Sequence, residues 1–382
     1  MYYFFFNIEH HRPQKTVIFF YFFALMGPKP YLCQEKKMRC DMTSREWIDL
    51  YAGTYTDQGS RGIYALRYNQ VTGEAQAVEA MTVPHPSFLT IAPDGRHLYA
   101  ISEVSGKDAP MHVIDISSQA MRLEQSVPTA AGDPCYVATD GRLVVTGNYS
   151  GSMSVYALSD DGAHARLVNL FAGSLGGPDA RRQSSPHVHC AAFAPDGLFI
   201  LATDFSADRI LSYRIAGNDV TENGVAAVVE AGSGPRHLVF SNDGRYAYLM
   251  SELSGMVTVF AYHDGRLEQL QAIESDHAKA RGGADIHLSP DGRFLYSSNR
   301  LQDDGIAIFA VDASTGLLTE IGYQPTGRHP RHFNITPNGK FLLCACRDED
   351  KIQVFARNQG SGLLSDTHRD IAISRPVCIQ FH

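Results

Sequence analysis

Apolar residues in this chain fall in short runs separated by turn residues, and one arrangement of the two recurs six times. It reads IAPDGRHLYAISE (91–103), ATDGRLVVTGNYS (138–150), APDGLFILATD (194–204), SNDGRYAYLMSE (241–252), SPDGRFLYSSNR (289–300) and TPNGKFLLCACR (336–347). Asp-Gly or Asn-Gly between apolar runs marks a hairpin, because Gly and Asn tolerate the positive φ of a tight turn. The marker glycines Gly95, Gly141, Gly197, Gly244, Gly292 and Gly339 are 46, 56, 47, 48 and 47 residues apart. Alternating strands such as VTVFAY and IAIFAV follow, then a second turn such as HDGRL or STGLL and one more short strand. No long segment has helical periodicity. Each unit therefore reads as four antiparallel strands, and such units at this period predict an all-β propeller.

The two ends fix the number of blades. Before the first marker stand WIDLYAGTYT (47–56), GIYALRY (62–68) and AQAVEAMTV (75–83), three strands without an opening strand. After the last full unit stands RPVCIQFH (375–382), an opening strand with nothing behind it. Joined, they make a seventh blade, so the chain is expected to divide into an extension (1–46) and a seven-bladed ring (47–382). The ring's 336 residues give 48 per blade, which matches the steps. The single long step carries a Gly/Pro/Ser-rich insertion, FAGSLGGPDARRQSSPHV (171–188), and long loops on a rigid scaffold are often functional.

The extension contains an apolar run, TVIFFYFFALM (16–26), too short to cross a membrane as a helix. It reads as a dispensable or over-called start, with Met42 opening the chain, or as the core of an export signal if residues 1–30 act as one. The expected location is the cytoplasm, with export as the alternative. A net charge of −8 with no basic stripe argues against nucleic acid as a partner. Seven cysteines show no CxxC pair and no zinc spacing, which suits reduced thiols. The chain is expected to need no membrane and to be a monomer or a weak homo-oligomer.

The innermost strand of each blade lines the central channel, and it is the strand just before each marker. Ionisable residues gather at the starts of these strands in four consecutive blades: His187 and His189, Arg236 and His237, Asp285 and His287, Arg331 and His332. Glu252 and Arg300 end the next strand in two of those blades. Any one of them alone reads more readily as a satisfied structural hydrogen bond. Together, guanidiniums, imidazoles and a carboxylate at one end of a channel suit an anionic small molecule and acid/base chemistry near neutral pH. So many cations beside one or two carboxylates argue against a metal ion. No G-x-S-x-G elbow and no Ser/His/Asp set is present, so no nucleophile is expected.

At these same residues the chain resembles the lactonase family of seven-bladed propellers, which includes bacterial 6-phosphogluconolactonases and, more distantly, a fungal carboxymuconate lactonizing enzyme. The motifs that carry the resemblance are YAGTYT, NYSGSMSVYAL, RQSSPHVHCAAFAPDG, GPRHLVFSNDGRYAYLMSEL, ADIHLSPDGRFLYSSNR and HPRHFNITPNGKFLL, and they cover about residues 48–382. The resemblance implies a catalytic set of His189, Arg236, Glu252 and Arg300. Asp285, His287 and Arg331 match the family's strongly patterned positions, and together with His187 and His237 of the channel cluster they are expected to contact the substrate, with no cofactor and no metal. Two positions depart from the family pattern: Tyr136 stands where a histidine is frequent, and His85 where an asparagine is common.

The expected activity is hydrolysis of 6-phospho-D-glucono-1,5-lactone, an anionic sugar lactone, in the pentose phosphate pathway. In that reading Glu252 or His189 takes a proton from the attacking water. Arg236 and Arg300 stabilise the oxyanion, and Arg331 and His287 bind phosphate or sugar hydroxyls. A lactonizing enzyme acting on an unsaturated dicarboxylate is the second reading, since the arginines suit two carboxylates equally. A non-catalytic propeller that binds a sugar or a protein is the third.

Overall fold

The computed structural model describes Met42, 45–118 and 120–382; the apolar run at 16–26 lies outside these residues. Seven antiparallel sheets form the ring, and the described residues of 47–382 carry one helical element, a single 3-10 turn at Arg347–Glu349. We number the blades from the first marker. Their inner strands are Phe88–Ile91, Pro134–Thr139, Val188–Phe193, Pro235–Phe240, Gly283–Leu288, Pro330–Ile335 and, for blade 7, Pro376–Phe381. In blade 7 the C-terminal strand pairs antiparallel with Trp47–Thr54, Leu50 facing Phe381 and Gly53 facing Cys378. The ring thus closes by joining the two half-blades. Blade 6 departs from the regular pattern: its outermost strand is broken into Leu364–Asp366 and Ile371–Ala372.

All six marker glycines have positive φ, from 69° to 86°, as the turn chemistry requires. In five of the six turns the glycine N–H closes on the carbonyl three residues back, as Gly292 does on Ser289 at 2.8 Å. The first residues described pack onto blade 7, where Gln70 Nε2 donates to the Met42 and Arg45 carbonyls, each at 2.6 Å.

The core is distributed in the same seven-fold way. Seven apolar clusters each join two neighbouring blades, such as Tyr99, Val113 and Tyr156 between blades 1 and 2, or Tyr248, Val257 and Phe309 between blades 4 and 5. Each sheet is apolar on both faces and buries both, so stability comes from blade-to-blade contact rather than from one central core. Tyrosine hydroxyls bolt neighbouring blades together. Tyr99 donates to Gly162 O at 3.0 Å, Tyr248 to Gly316 O at 3.1 Å and Tyr296 to Gly362 O at 2.7 Å.

Candidate active site

Successive residues of a strand point to opposite faces, so a regular inner strand would send only one of Arg236 and His237 into the channel. The structure avoids this with a bulge. Pro235 pairs with Ser251 but His237 pairs with Met250, which leaves Arg236 as an extra residue. The same shift occurs at the start of the inner strands of blades 2, 3, 5 and 6, and in blade 7. The bulges make room for tiers of side chains at the channel mouth.

The upper tier follows the second strand of each blade. The backbone N–H groups of Tyr55, Glu103, Tyr149, Phe205, Glu252, Arg300 and Arg347 donate to equivalent carbonyls ahead of the seven inner strands, Glu252 to Gly234 at 2.8 Å and Arg300 to Gly282 at 3.0 Å. Glu252 is the centre of charge in this tier. Its Oε2 meets Arg236 Nε at 3.1 Å and Arg300 Nη2 at 3.1 Å, and its Oε1 meets Arg182 Nη2 at 2.5 Å. Burial alone would raise its carboxyl, but Arg300, Arg236 and Arg182 outweigh burial and hold it at about 2. Three guanidiniums therefore share one carboxylate, which leaves a surplus of two positive charges on this side of the mouth.

Backbone carbonyls fix the two deeper arginines. Arg236 Nη1 donates to Ala284 O at 2.6 Å, and Arg300 donates through Nε to Gly282 O at 2.9 Å and through Nη2 to Gly283 O at 3.0 Å. Gly283 is needed there, because a Cβ would lie 2.3 Å from Met250 Cε and 2.7 Å from the Ser251 carbonyl. On the opposite side of the mouth Arg331 Nη2 pairs with Glu103 Oε2 at 3.3 Å, and Tyr55 OH donates to the same oxygen at 2.8 Å. That side is neutral.

Beneath lies a plug with one residue from each blade: Phe88, Tyr136, Cys190, His237, Asp285, His332 and Cys378. Phe88 and Tyr136 meet with ring centroids 4.4 Å apart, and both touch the His237 ring edge-on at 5.8 and 5.4 Å. Asp285 accepts from His237 Nδ1 at 2.8 Å and His287 Nε2 at 3.0 Å, and it also takes the Phe333 N–H at 3.2 Å. Burial would raise the Asp285 carboxyl, yet His332, His287 and His237 hold it well below the usual carboxylate range. Burial and Arg236 push His237 down to about 3, and burial pushes His332 down to about 4, so both rings are neutral at physiological pH.

Asp285, His287 and His332 each offer a ligand atom within 4.8 Å of the others, which is the composition of a metal-ligand set. Their donors are turned inward instead. His332 Nδ1 accepts the Ile379 N–H at 3.3 Å, so in the neutral ring Nε2 carries the proton and points at Asp285, 3.6 Å away. Within the trio His287 Nε2 bonds to Asp285 at 3.0 Å, and Asp285 spends its other oxygen on His237.

Of the residues singled out in the sequence, Arg236, Glu252 and Arg300 are in direct contact. His189, 3 % exposed, packs against their neighbours, its ring centroid 5.2 Å from that of His237 and 5.9 Å from that of Tyr149. Its Nδ1 is buried without a hydrogen-bond partner. Burial first, then Arg236 and His237, push its pKa well below the ordinary 6.5. Arg331 faces the same mouth, whereas His237 and Asp285 lie one tier down. His287 sits two residues deeper than Asp285 on its strand, on the far side of the plug. His187 stands at the rim, its ring stacked on Tyr149 at 3.9 Å. His85 is also at the rim, in the left-handed region at φ 43° and 5.8 Å from the Tyr55 ring. Tyr136 is part of the plug.

Sequence reading missed Glu103 and Tyr149, although both stand eight residues after their marker glycine, as Glu252 and Arg300 do. Extending that offset around the ring would have found them. Arg182 had no such signal, since it lies in the insertion and outside the repeat.

The sequence profile of the lactonase family of seven-bladed β-propellers matches residues 49–381. The chain belongs to that family. A 6-phosphogluconolactonase of Formosa agariphila is 31% identical over 348 residues, covering 87% of this chain and 98% of the relative. The solved structure of a Bacteroides uniformis protein, provisionally named 6-phosphogluconolactonase, is 52% identical with a TM-score of 0.86, and the match spans 88% of this chain and 100% of that one. The periplasmic gluconolactonase of Pseudomonas aeruginosa is 33% identical with a TM-score of 0.81, over 88% of this chain and 99% of its own. The propeller and its seven blades are those expected from the repeat and the two ends, and the family is the one that the motifs resemble.

Proposed function

We propose that this lactonase hydrolyses 6-phospho-D-glucono-1,5-lactone to 6-phosphogluconate at the channel mouth, without a metal. The observation that carries this reading is the surplus of two positive charges around Glu252, because a phosphate monoester carries close to two negative charges at neutral pH. The names of the relatives point to the same substrate class.

His189 suits the base better than Glu252 does. Both Glu252 oxygens are engaged by arginines, which leaves the carboxylate ionised but weakly basic. The neutral imidazole of His189 keeps an unpartnered Nδ1. In this mechanism His189 takes a proton as water adds to the C1 carbonyl. Nη2 of Arg236 and Nη1 of Arg300, which have no partner among the described residues, donate to the oxyanion. As the bond from C1 to the ring oxygen opens, His189 returns the proton to that oxygen, and the product is the open-chain hydroxy acid. Glu252 keeps the two guanidiniums in place. Arg331 faces the sugar hydroxyls from the neutral side.

The reading places the enzyme in the cytoplasm and the pentose phosphate pathway, where unbridged thiols are at home. All five described cysteines are buried and unpaired. Its test is the rate of lactone loss for Arg236→Met and His189→Ala. Each is expected to lower kcat by about 100-fold or more, as the loss of one oxyanion donor or of the base does. Wild-type rates in both variants would remove this assignment.

A further inference from the structure

The insertion at 171–188 lengthens one step of the repeat and delivers a residue that the repeat alone does not supply. Its backbone is held firmly. Gln183, 3 % exposed, donates to Phe205 O at 3.0 Å and to Asp208 Oδ1 at 2.8 Å. Asp179 Oδ1 accepts the N–H groups of Arg181 and Arg182, each at 2.9 Å, and Gly177 N–H donates to Ser206 O at 2.7 Å. From this base the Arg182 side chain reaches inward. Nη2 donates to Tyr149 OH at 3.2 Å and to Glu252 Oε1 at 2.5 Å, and the guanidinium carbon lies 5.4 Å from the centre of the Phe205 ring.

Arg182 differs from the other two arginines on Glu252. Its side chain is 39% exposed, against 2% for Arg236 and 6% for Arg300, so it can meet a ligand at the mouth without uncovering the core. Its Nε and Nη1 have no partner among the described residues, whereas the deeper pair spend donors on backbone carbonyls. Other arginines around the mouth are already matched: Arg331 by Glu103, Arg281 by Asp179, and Arg375 by Asp57 and Asp348. The surplus charge on the blade 3 to 5 side therefore has one exposed carrier.

We propose that Arg182 is the specificity residue for an anionic exocyclic arm, so that the insertion selects phosphorylated over unphosphorylated sugar lactones. The proposal rests on the lactone-hydrolysis reading above. With the carbonyl held between Arg236 and Arg300, the ring fills the mouth and the phosphate arm extends to Arg182. There the phosphate displaces part of the contact with Glu252. A charge-assisted pair replaces one that Glu252 already shares with two other cations.

The test compares kcat/KM for freshly generated 6-phospho-D-glucono-1,5-lactone and for D-glucono-1,5-lactone in wild type, Arg182→Gln and Arg182→Lys. In Arg182→Gln the preference for the phosphorylated lactone is expected to fall by about 10- to 100-fold, mainly through KM, the size of one lost charge-assisted hydrogen bond. Arg182→Lys is expected to recover part of it. An equal fall on both substrates would show that Arg182 acts only through Glu252, and an unchanged preference would show that the phosphate lies elsewhere. Either result overturns the proposal. A wild type that hydrolyses neither lactone overturns the lactonase reading itself, and so the two failures are separable.

Discussion

Glu252 shows how a single buried residue sets the chemistry around it. It is 6 % exposed and balances three guanidiniums, two of them buried, which is the setting of a counter-ion. Glu252→Gln leaves Arg236 and Arg300 buried without their carboxylate. That change is expected to cost about 3–5 kcal/mol of unfolding free energy, measured by urea denaturation, in addition to lost turnover. A variant as stable as wild type would show that the ion pairs contribute nothing net. His189 supplies the matching pH dependence. Because burial and Arg236 depress its pKa, the ring stays neutral well below 6.5, and the acid limb of kcat/KM is expected below that value. A limb centred at or above 6.5 would exclude His189 as the base.

The plug histidines carry a second pH signature, in stability rather than rate. His237 at about 3 and His332 at about 4 are neutral when folded, while the unfolded chain takes up protons below 6.5. Since stability rises with pH wherever the unfolded state binds more protons, these rings contribute fully above 6.5 and less as the pH falls toward 4. The melting temperature is expected to be level above pH 7 and to drop between pH 6.5 and 4. A melting temperature that holds through that window would contradict the neutral-plug description.

Among the elements, the markers made six of the seven inner strands and their hairpins legible, because Asp-Gly and Asn-Gly turns are local features with a fixed backbone demand. What the alternation of apolar and polar residues could not convey is the bulge. Reading PRH as regular strand puts Arg236 and His237 on opposite faces, and only the register shift after Pro235 turns both to the channel. The depth of His287 was not legible for a related reason, since a position near the strand start says nothing of the Asp285 tier before it. The tyrosines four residues after Gly95, Gly244 and Gly292 were visible as a repeat, but their partners lie in the next blade. Tyr296 OH donates to Gly362 O at 2.7 Å and accepts Arg357 Nε at 2.7 Å. Tyr296→Phe is expected to lower stability by about 1–3 kcal/mol and to leave kcat unchanged, as the bolt lies away from the mouth. A loss of activity at unchanged stability would show that the bolt transmits to the site.

At the scale of the whole molecule, the ring divides labour between symmetry and its breaks. Seven clusters between blades and one strand pairing between the termini hold the scaffold. Deleting 376–382 removes the inner strand of blade 7 and two of the seven interfaces lose a face, so the truncated chain is expected to show no cooperative melt. The proposed site lies where symmetry fails, in blades 3 to 6 and in the insertion at 171–188. Identity of residue type made the first visible in the sequence; the reach of Arg182 across to Glu252 was not, because no periodic rule places a loop.

The most direct measurement follows the disappearance of freshly generated 6-phospho-D-glucono-1,5-lactone with wild type and Arg236→Met, each with and without a chelator. Wild type is expected to accelerate the reaction well above its spontaneous rate, untouched by the chelator, with Arg236→Met slower by about 100-fold or more. No acceleration by wild type, loss of activity on chelation, or a wild-type rate in Arg236→Met would contradict a metal-free lactonase site built on Glu252 and its arginines.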